Sequence, residues 1–184
     1  MGESKVSIHW LNRLADWQFL CNYAKLRKKE GLMSEIKLQG LSAEGEEREY
    51  ELSGFKGERV VLYFYPKDNT SGCTQEACDF RDNINRLISS AAVIGVSPDS
   101  IKSHKKFKEN HDLNFILLSD PEHTLSEQFG VWKEKSMYGR KYMGIERSTF
   151  VLDKEGNIEK EWRKVKVKGH VDEVLEYLKS HAAN

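Results

Sequence analysis

Five consecutive apolar residues, Val60-Val61-Leu62-Tyr63-Phe64, leave this chain few folds to choose from. A short run of this kind, rich in β-branched and aromatic residues, reads as a strand buried on both faces, the kind found in parallel sheets. It hands over through Tyr65-Pro66-Lys67-Asp68-Asn69-Thr70-Ser71-Gly72 to Cys73, with a second thiol at Cys78. Beyond Cys73, Ala77, Phe80, Ile84, Leu87 and Ile88 recur at helical spacing, which predicts a helix from Cys73 to about Ile88. A thiol therefore sits where a strand gives way to a helix. Unpaired N–H groups and the positive end of the macrodipole favour an anion there. A cysteine at such a place is a thiolate more often than an ordinary one, so redox chemistry at Cys73 is the leading reading.

The same pattern continues down the chain. Glu35–Leu38 and Arg48–Leu52 read as a strand pair around a turn, and Ala91–Val96 as a second buried strand. A helix follows over Ser100–His111, with Ser100 as its cap and Ile101, His104 and Phe107 along one face. A short strand at Phe115–Leu118 precedes a helix opened by Asp120-Pro121-Glu122 and reaching Phe129. Ser136–Gly144 reads as a loop, Ser148–Leu152 and Ile158–Trp162 as strands, and Val171–Lys179 as the last helix. The alternating run Lys164–Lys168 reads as a solvated strand face. This order points to an α/β class: a thioredoxin-like fold with a central mixed sheet flanked by helices, plus an N-terminal hairpin. Ahead of it, Trp10, Leu14, Trp17, Cys21 and Ala24 lie at helical spacing. Residues 1–32 are thus expected as an extra amphipathic helical extension, and residues 33–184 as the main domain.

Lys+Arg and Asp+Glu balance at 29 each, so no global field draws nucleic acid or acidic membranes. No stretch reaches the roughly 18 apolar residues of a membrane span, and Arg13 and Asp16 interrupt any secretory signal. The cytoplasm is the expected location. Three cysteines are too few for a secreted disulfide framework.

In one intact helix, five residues separate Cys73 and Cys78 by ~500° of rotation and leave their Cα atoms about 8–9 Å apart, beyond disulfide reach. Either these thiols never bond, or the first turns of the helix unwind. Around Cys73, Thr70 can turn a hydroxyl toward the sulfur or toward an oxygen bound there, Gly72 lets backbone approach, and Pro66 fixes the loop. A cation is still needed. Arg147, just before Ser148–Leu152, reaches the Cys73 turn if that strand lies beside Arg59–Tyr65.

The run Pro66-x-x-x-Thr70-x-x-Cys73 is similar to the active-site pattern of the peroxiredoxins. The longer stretch Tyr65–Asp82 resembles the bacterioferritin-comigratory-protein, or Q-type, branch, as do Val93–Ser97, Leu118–Pro121, Tyr138–Phe150 and Val165–His170. The resemblance covers about residues 46–180. It implies a thiol-dependent peroxidase in which Cys73 is the peroxidatic cysteine and Cys78 the resolving cysteine, with Arg147, Thr70 and Pro66 as the activating shell. It further implies reduction of hydrogen peroxide and organic hydroperoxides, an intramolecular disulfide, a thioredoxin-type dithiol reductant and no cofactor. A monomer or weak homodimer is expected. The branch usually carries proline at the position of Ser71, and its Ala-Pro-x-Phe start is absent here. A redox sensor without turnover could use the same cysteine. A metal site is disfavoured, because Cys73 and Cys78 have the wrong helical phase to share an ion. His123 and His170 read as exposed or capping, and Trp132 and Trp162 as packing residues. Tyr138, Tyr142 and Met143 read either as lining a peroxide entrance or as core or loop packing.

Overall fold

The structure, a computed structural model, describes residues 36–137 and 139–181, with Met137 described by its backbone. The helix expected over residues 1–32, and the division at residue 33, lie outside the described residues, as does Tyr138.

Strands β1 (Lys37–Leu41) and β2 (Glu47–Glu51) form the expected hairpin, with Lys37 opposite Glu51 and Leu41 opposite Glu47. Then come β3 (Val60–Phe64), α1 (Ser71–Asp82), α2 (Ile84–Leu87), β4 (Ala92–Ser97), α3 (Ile101–His111), β5 (Ile116–Ser119) and α4 (Thr124–Gln128). The rest is β6 (Trp132–Met137), β7 (Arg140–Ile145), β8 (Ser148–Leu152), β9 (Ile158–Arg163) and α5 (His170–Ser180).

A seven-stranded sheet runs in the order β2-β1-β5-β4-β3-β8-β9. Strands β3, β4 and β5 are parallel neighbours, while β8 lies antiparallel to β3. The sheet is therefore mixed, and β3 is its centre, buried at every residue. Val61 and Tyr63 on one face belong to a core shared with Ala77 and Phe80 of α1, Leu87 of α2 and Val174, Leu175 and Leu178 of α5. Phe64 on the other face meets Phe129 at 5.3 Å and Phe150 at 5.8 Å between ring centroids. Burying a large side chain fully is worth roughly 1.5–3 kcal/mol, so a central strand apolar on both faces anchors both layers.

Four local expectations fail for identifiable reasons. The helix after Cys73 breaks at Asn83, whose backbone leaves the helical region (φ −104°, ψ 5°). Its side chain turns back to the Asp79 carbonyl, and Ile88, expected on the apolar face, is 60% exposed. The segment expected as a loop at Ser136–Gly144 contributes to a two-stranded hairpin, β6–β7, with Trp132 opposite Ile145. Most of β7 is exposed, so no apolar alternation marks it. Lys164 adopts φ 51°, which ends β9 at Arg163 and leaves Lys164–Lys168 outside any strand. Asp120-Pro121-Glu122 forms a turn, and the helix starts at Thr124. The Asp120 carboxylate instead caps α4 by accepting from the N–H groups of Leu125 and Ser126.

Candidate active site

The site is built where β3, α1 and β8 converge. Register sets Ser148 opposite Phe64, so the residue before β8 emerges beside the loop that leaves β3. That residue is Arg147. Its Nη2 donates to Cys73 Sγ at 3.2 Å, and its Nη1 donates to the Glu76 carboxylate. The expected cation thus sits against the sulfur because two strands 84 residues apart in sequence pair directly (Phe64 with Ser148).

Glu76 was not singled out by the sequence reading. It lies one turn beyond Cys73 on the buried stripe Cys73–Glu76–Ala77–Phe80 of α1. An acid at a core position of an amphipathic helix is the signal that would have found it. Its side chain is 1% exposed. Burial pushes its carboxyl up from 4.5 to about 7, against the opposing pull of Arg147. Burial also works against the charge of Arg147, but Glu76 and Cys73 outweigh it and the guanidinium is held more firmly charged. The partners differ because Arg147 keeps 16% of its side chain in solvent while Glu76 keeps almost none. Desolvation therefore falls mainly on the acid.

Thr70 is the N-cap residue of α1, in an extended conformation. Its carbonyl accepts from the Thr74 N–H at 2.8 Å. Its hydroxyl donates to the Lys67 carbonyl at 3.0 Å, so it braces the loop and does not point a hydrogen bond at the sulfur. Pro66 lies exposed at the start of the same loop. Cys78 is half-buried on α1 and is a free thiol, as is Cys73. The helix between them is continuous, so the unbonded arrangement expected for an intact helix is the one present.

Cys73 itself is 1% exposed. Gly72 beside it is half-buried, and a Cβ there would stand 3.5 Å from Arg147 Nη2 and 4.0 Å from Val167 Cγ2. A surface groove of about 660 Å³ opens along Ser71, Gly72, Gln75, Val167 and Val171. Gly72 thus lines this groove and also lies beside the Arg147 guanidinium.

One histidine differs from expectation, while the other, His123, takes the capping position expected of it at the start of α4. His170 is buried, not exposed, with its Nε2 hydrogen-bonded to Thr149 Oγ1 at 2.7 Å. Burial, with the Arg147 charge second, pulls it down to about 4, so it is neutral beside the site. His123 stacks on Trp132 at 3.6 Å between ring centroids. Tyr142 and Met143 are exposed on β7.

Residues 33–161 match the AhpC/TSA family. The chain is 62% identical over 129 residues to peroxiredoxin Bcp of Bacillus subtilis, covering 70% of this chain and 82% of that one. It is 47% identical over 132 residues to peroxiredoxin Bcp of Escherichia coli, covering 71% and 85%. Among solved structures it is similar to the bacterioferritin comigratory protein of Xanthomonas campestris, described for its alkyl peroxide reduction activity. That match has a TM-score of 0.75 and 43% identity, and covers 82% of this chain and 94% of the other.

Proposed function

Given that this chain belongs to the AhpC/TSA family and is a peroxiredoxin, a thiol-dependent peroxidase, we propose that Cys73 is its peroxidatic cysteine and Cys78 its resolving cysteine. The observation that carries the reading is the Arg147 guanidinium 3.2 Å from Cys73 Sγ at the first turn of α1. A cation and a helix N-terminus together favour the sulfur anion. The Cys73 thiolate attacks one peroxide oxygen; an S–O bond forms and the O–O bond breaks. Hydroxide or alkoxide leaves and takes up a proton. Arg147 and backbone N–H groups of the first turn bear on the charge that develops on the departing oxygen. Thr70 and Pro66 act by shaping the loop, Thr70 through its bond to Lys67.

Cys73 is then a sulfenic acid. The first turns of α1 unwind, the Cys78 thiolate attacks the Cys73 sulfur, water departs and a disulfide remains. A thioredoxin-type dithiol reduces it by exchange. This is the atypical two-cysteine cycle, acting on hydrogen peroxide and organic hydroperoxides in the cytoplasm. The exposed large hydrophobics among the described residues are Ile88, Tyr142 and Met143, which supports a monomer or weak homodimer.

The test is peroxide consumption with a thioredoxin system, read together with mass spectrometry of the oxidised protein. The reading requires turnover and an intramolecular Cys73–Cys78 bridge. Cys73→Ser abolishes consumption, while Cys78→Ser keeps one rapid oxidation and loses thioredoxin-supported turnover. Full turnover by Cys73→Ser overturns the assignment, and a single oxidation without turnover in the unaltered protein makes it a sensor.

A further inference from the structure

Between β3 and α1 the loop carries a buried acid with no part in the chemistry above. Asp68 is two residues ahead of the helix cap, and its side chain is 1% exposed. One carboxylate oxygen accepts from Tyr65 Oη at 2.8 Å, and the other faces His104 Nδ1 at 2.9 Å. His104, on α3, is fully buried, and its Nε2 faces the Leu118 carbonyl of β5 at 3.2 Å. Both ring nitrogens therefore face acceptors. The Asp68 backbone N–H donates to Asp99 Oδ2 at 2.8 Å, and Asp99 is held in turn by Ser97 and Ser119. The loop is thus pinned at Asp68 to β3, β4, α3 and β5, with its side-chain partners out of water. Buried hydrogen-bonded pairs of this kind are costly to break, because separation leaves unpaired polar groups.

Downstream of Asp68 the ties are of another kind. Thr70 and Ser71 are exposed, Asn69 sits at φ 55°, and Thr70 is held by a surface bond to Lys67. Side-chain burial thus lapses over residues 69–71, between the Asp68 cluster and the buried Cys73. We propose that Asp68 and His104 are positioning residues: they clamp the upstream end of the loop, so that the unwinding needed for a Cys73–Cys78 bridge stays downstream of residue 68. The inference rests on the resolving role of Cys78 proposed above.

The clamp has two consequences. With α1 wound, it fixes where the first turn sits, and hence the approach of Cys73 to Arg147. With α1 unwound, five residues tether Cys73 to the clamp, a leash of roughly 17 Å at full extension. The sulfur cannot wander, and the wound state is recovered by a local search.

The test is amide hydrogen exchange on the reduced and disulfide forms of the full chain, with mass spectrometry to confirm the bridge. In the disulfide form, amides of residues 74–78 lose protection while those of Tyr65 and Asp68 keep it. A bridge that forms while the Asp68 amide exchanges freely overturns the clamp and leaves the Cys73–Cys78 pairing intact. Absence of the bridge removes the pairing and the clamp's confining role together. A kinetic split provides the second readout. In Asp68→Asn and in the milder Tyr65→Phe, single-turnover oxidation of Cys73 slows, by about tenfold for Asp68→Asn, while the sulfenate-to-disulfide step is not slowed. Equal slowing of both steps, or of neither, overturns the proposal.

Discussion

Replacing Glu76 by glutamine isolates the cost of keeping a carboxylate on the guanidinium that faces Cys73. In the fold, burial raises this carboxyl from 4.5 to about 7. The folded protein therefore keeps the proton over a range where the unfolded chain has lost it. That retained proton stabilises the fold fully below about pH 4.5, and the stabilisation is lost as pH rises through 7. The rise from 4.5 to about 7, at about 1.4 kcal/mol for each pH unit, amounts to roughly 3 kcal/mol. Glu76→Gln has no proton to lose, so its stability relative to the parent should improve by about 3 kcal/mol between pH 4.5 and pH 8. The comparison is best made with Cys73→Ser in both proteins, so that the only difference between them is at residue 76. The difference between the two also cancels His170, whose burial moves it the opposite way, from 6.5 to about 4. Its stabilisation is present above 6.5 and is lost as pH falls through 4, which masks Glu76 in the parent alone. The assay is reversible urea unfolding of the reduced proteins at several pH values. With a slope of about 1–3 kcal/mol per molar urea, the midpoint difference should change by roughly 1–3 M. A constant difference across the range would refute the claim that ionised Glu76 is desolvated in the fold.

Three further substitutions test the frame around the site. Tyr63 Oη is buried without a hydrogen-bond partner among the described residues. Tyr63→Phe should therefore be neutral or stabilise by about 1 kcal/mol in the same unfolding assay, where most core changes destabilise. Gly40→Ala would set a Cβ 2.7 Å from the Leu117 carbonyl oxygen and 2.6 Å from Leu118 Cδ2. Because β1 and β5 are paired there, relief means separating strands, and a loss of about 3 kcal/mol or more, read as a fall in melting temperature, is expected. Ser100 Oγ accepts from the Ser103 N–H and caps α3, so Ser100→Ala should cost about 1 kcal/mol by urea unfolding without changing peroxide consumption.

The parts of the site that sequence made legible are those where local pattern and chemistry coincide. The apolar run of β3 and the cysteine after it mark a strand-to-helix turn whatever the rest of the fold. Arg147 was reachable because Ser148–Leu152, with Phe150-Val151-Leu152 at its end, read as a buried strand, which left few places for it but beside β3. Glu76, Asp68 and His104 were not singled out as site residues. Each is a polar side chain with a side-chain partner 36 or more residues away, and only the tertiary fold brings the two together. The β6–β7 hairpin escaped for the opposite reason: solvent on both sides removes the alternation by which a strand is recognised. The hydroxyl of Thr70, able by residue type to turn toward the sulfur or an oxygen bound there, bonds its own loop, an outcome set by the geometry of the turn.

The central claim is that Arg147 activates Cys73, and one kinetic comparison bears on it most directly. In a Cys78→Ser background, the single-turnover oxidation of Cys73 by hydrogen peroxide is followed with Arg147 intact and with Arg147→Gln, both reduced and shown to be folded. Losing a charged donor aimed at the reacting atoms should slow the step by about 10²–10³-fold. Rates within a factor of about two of each other would mean that the guanidinium 3.2 Å from the sulfur is a structural neighbour and not part of the chemistry.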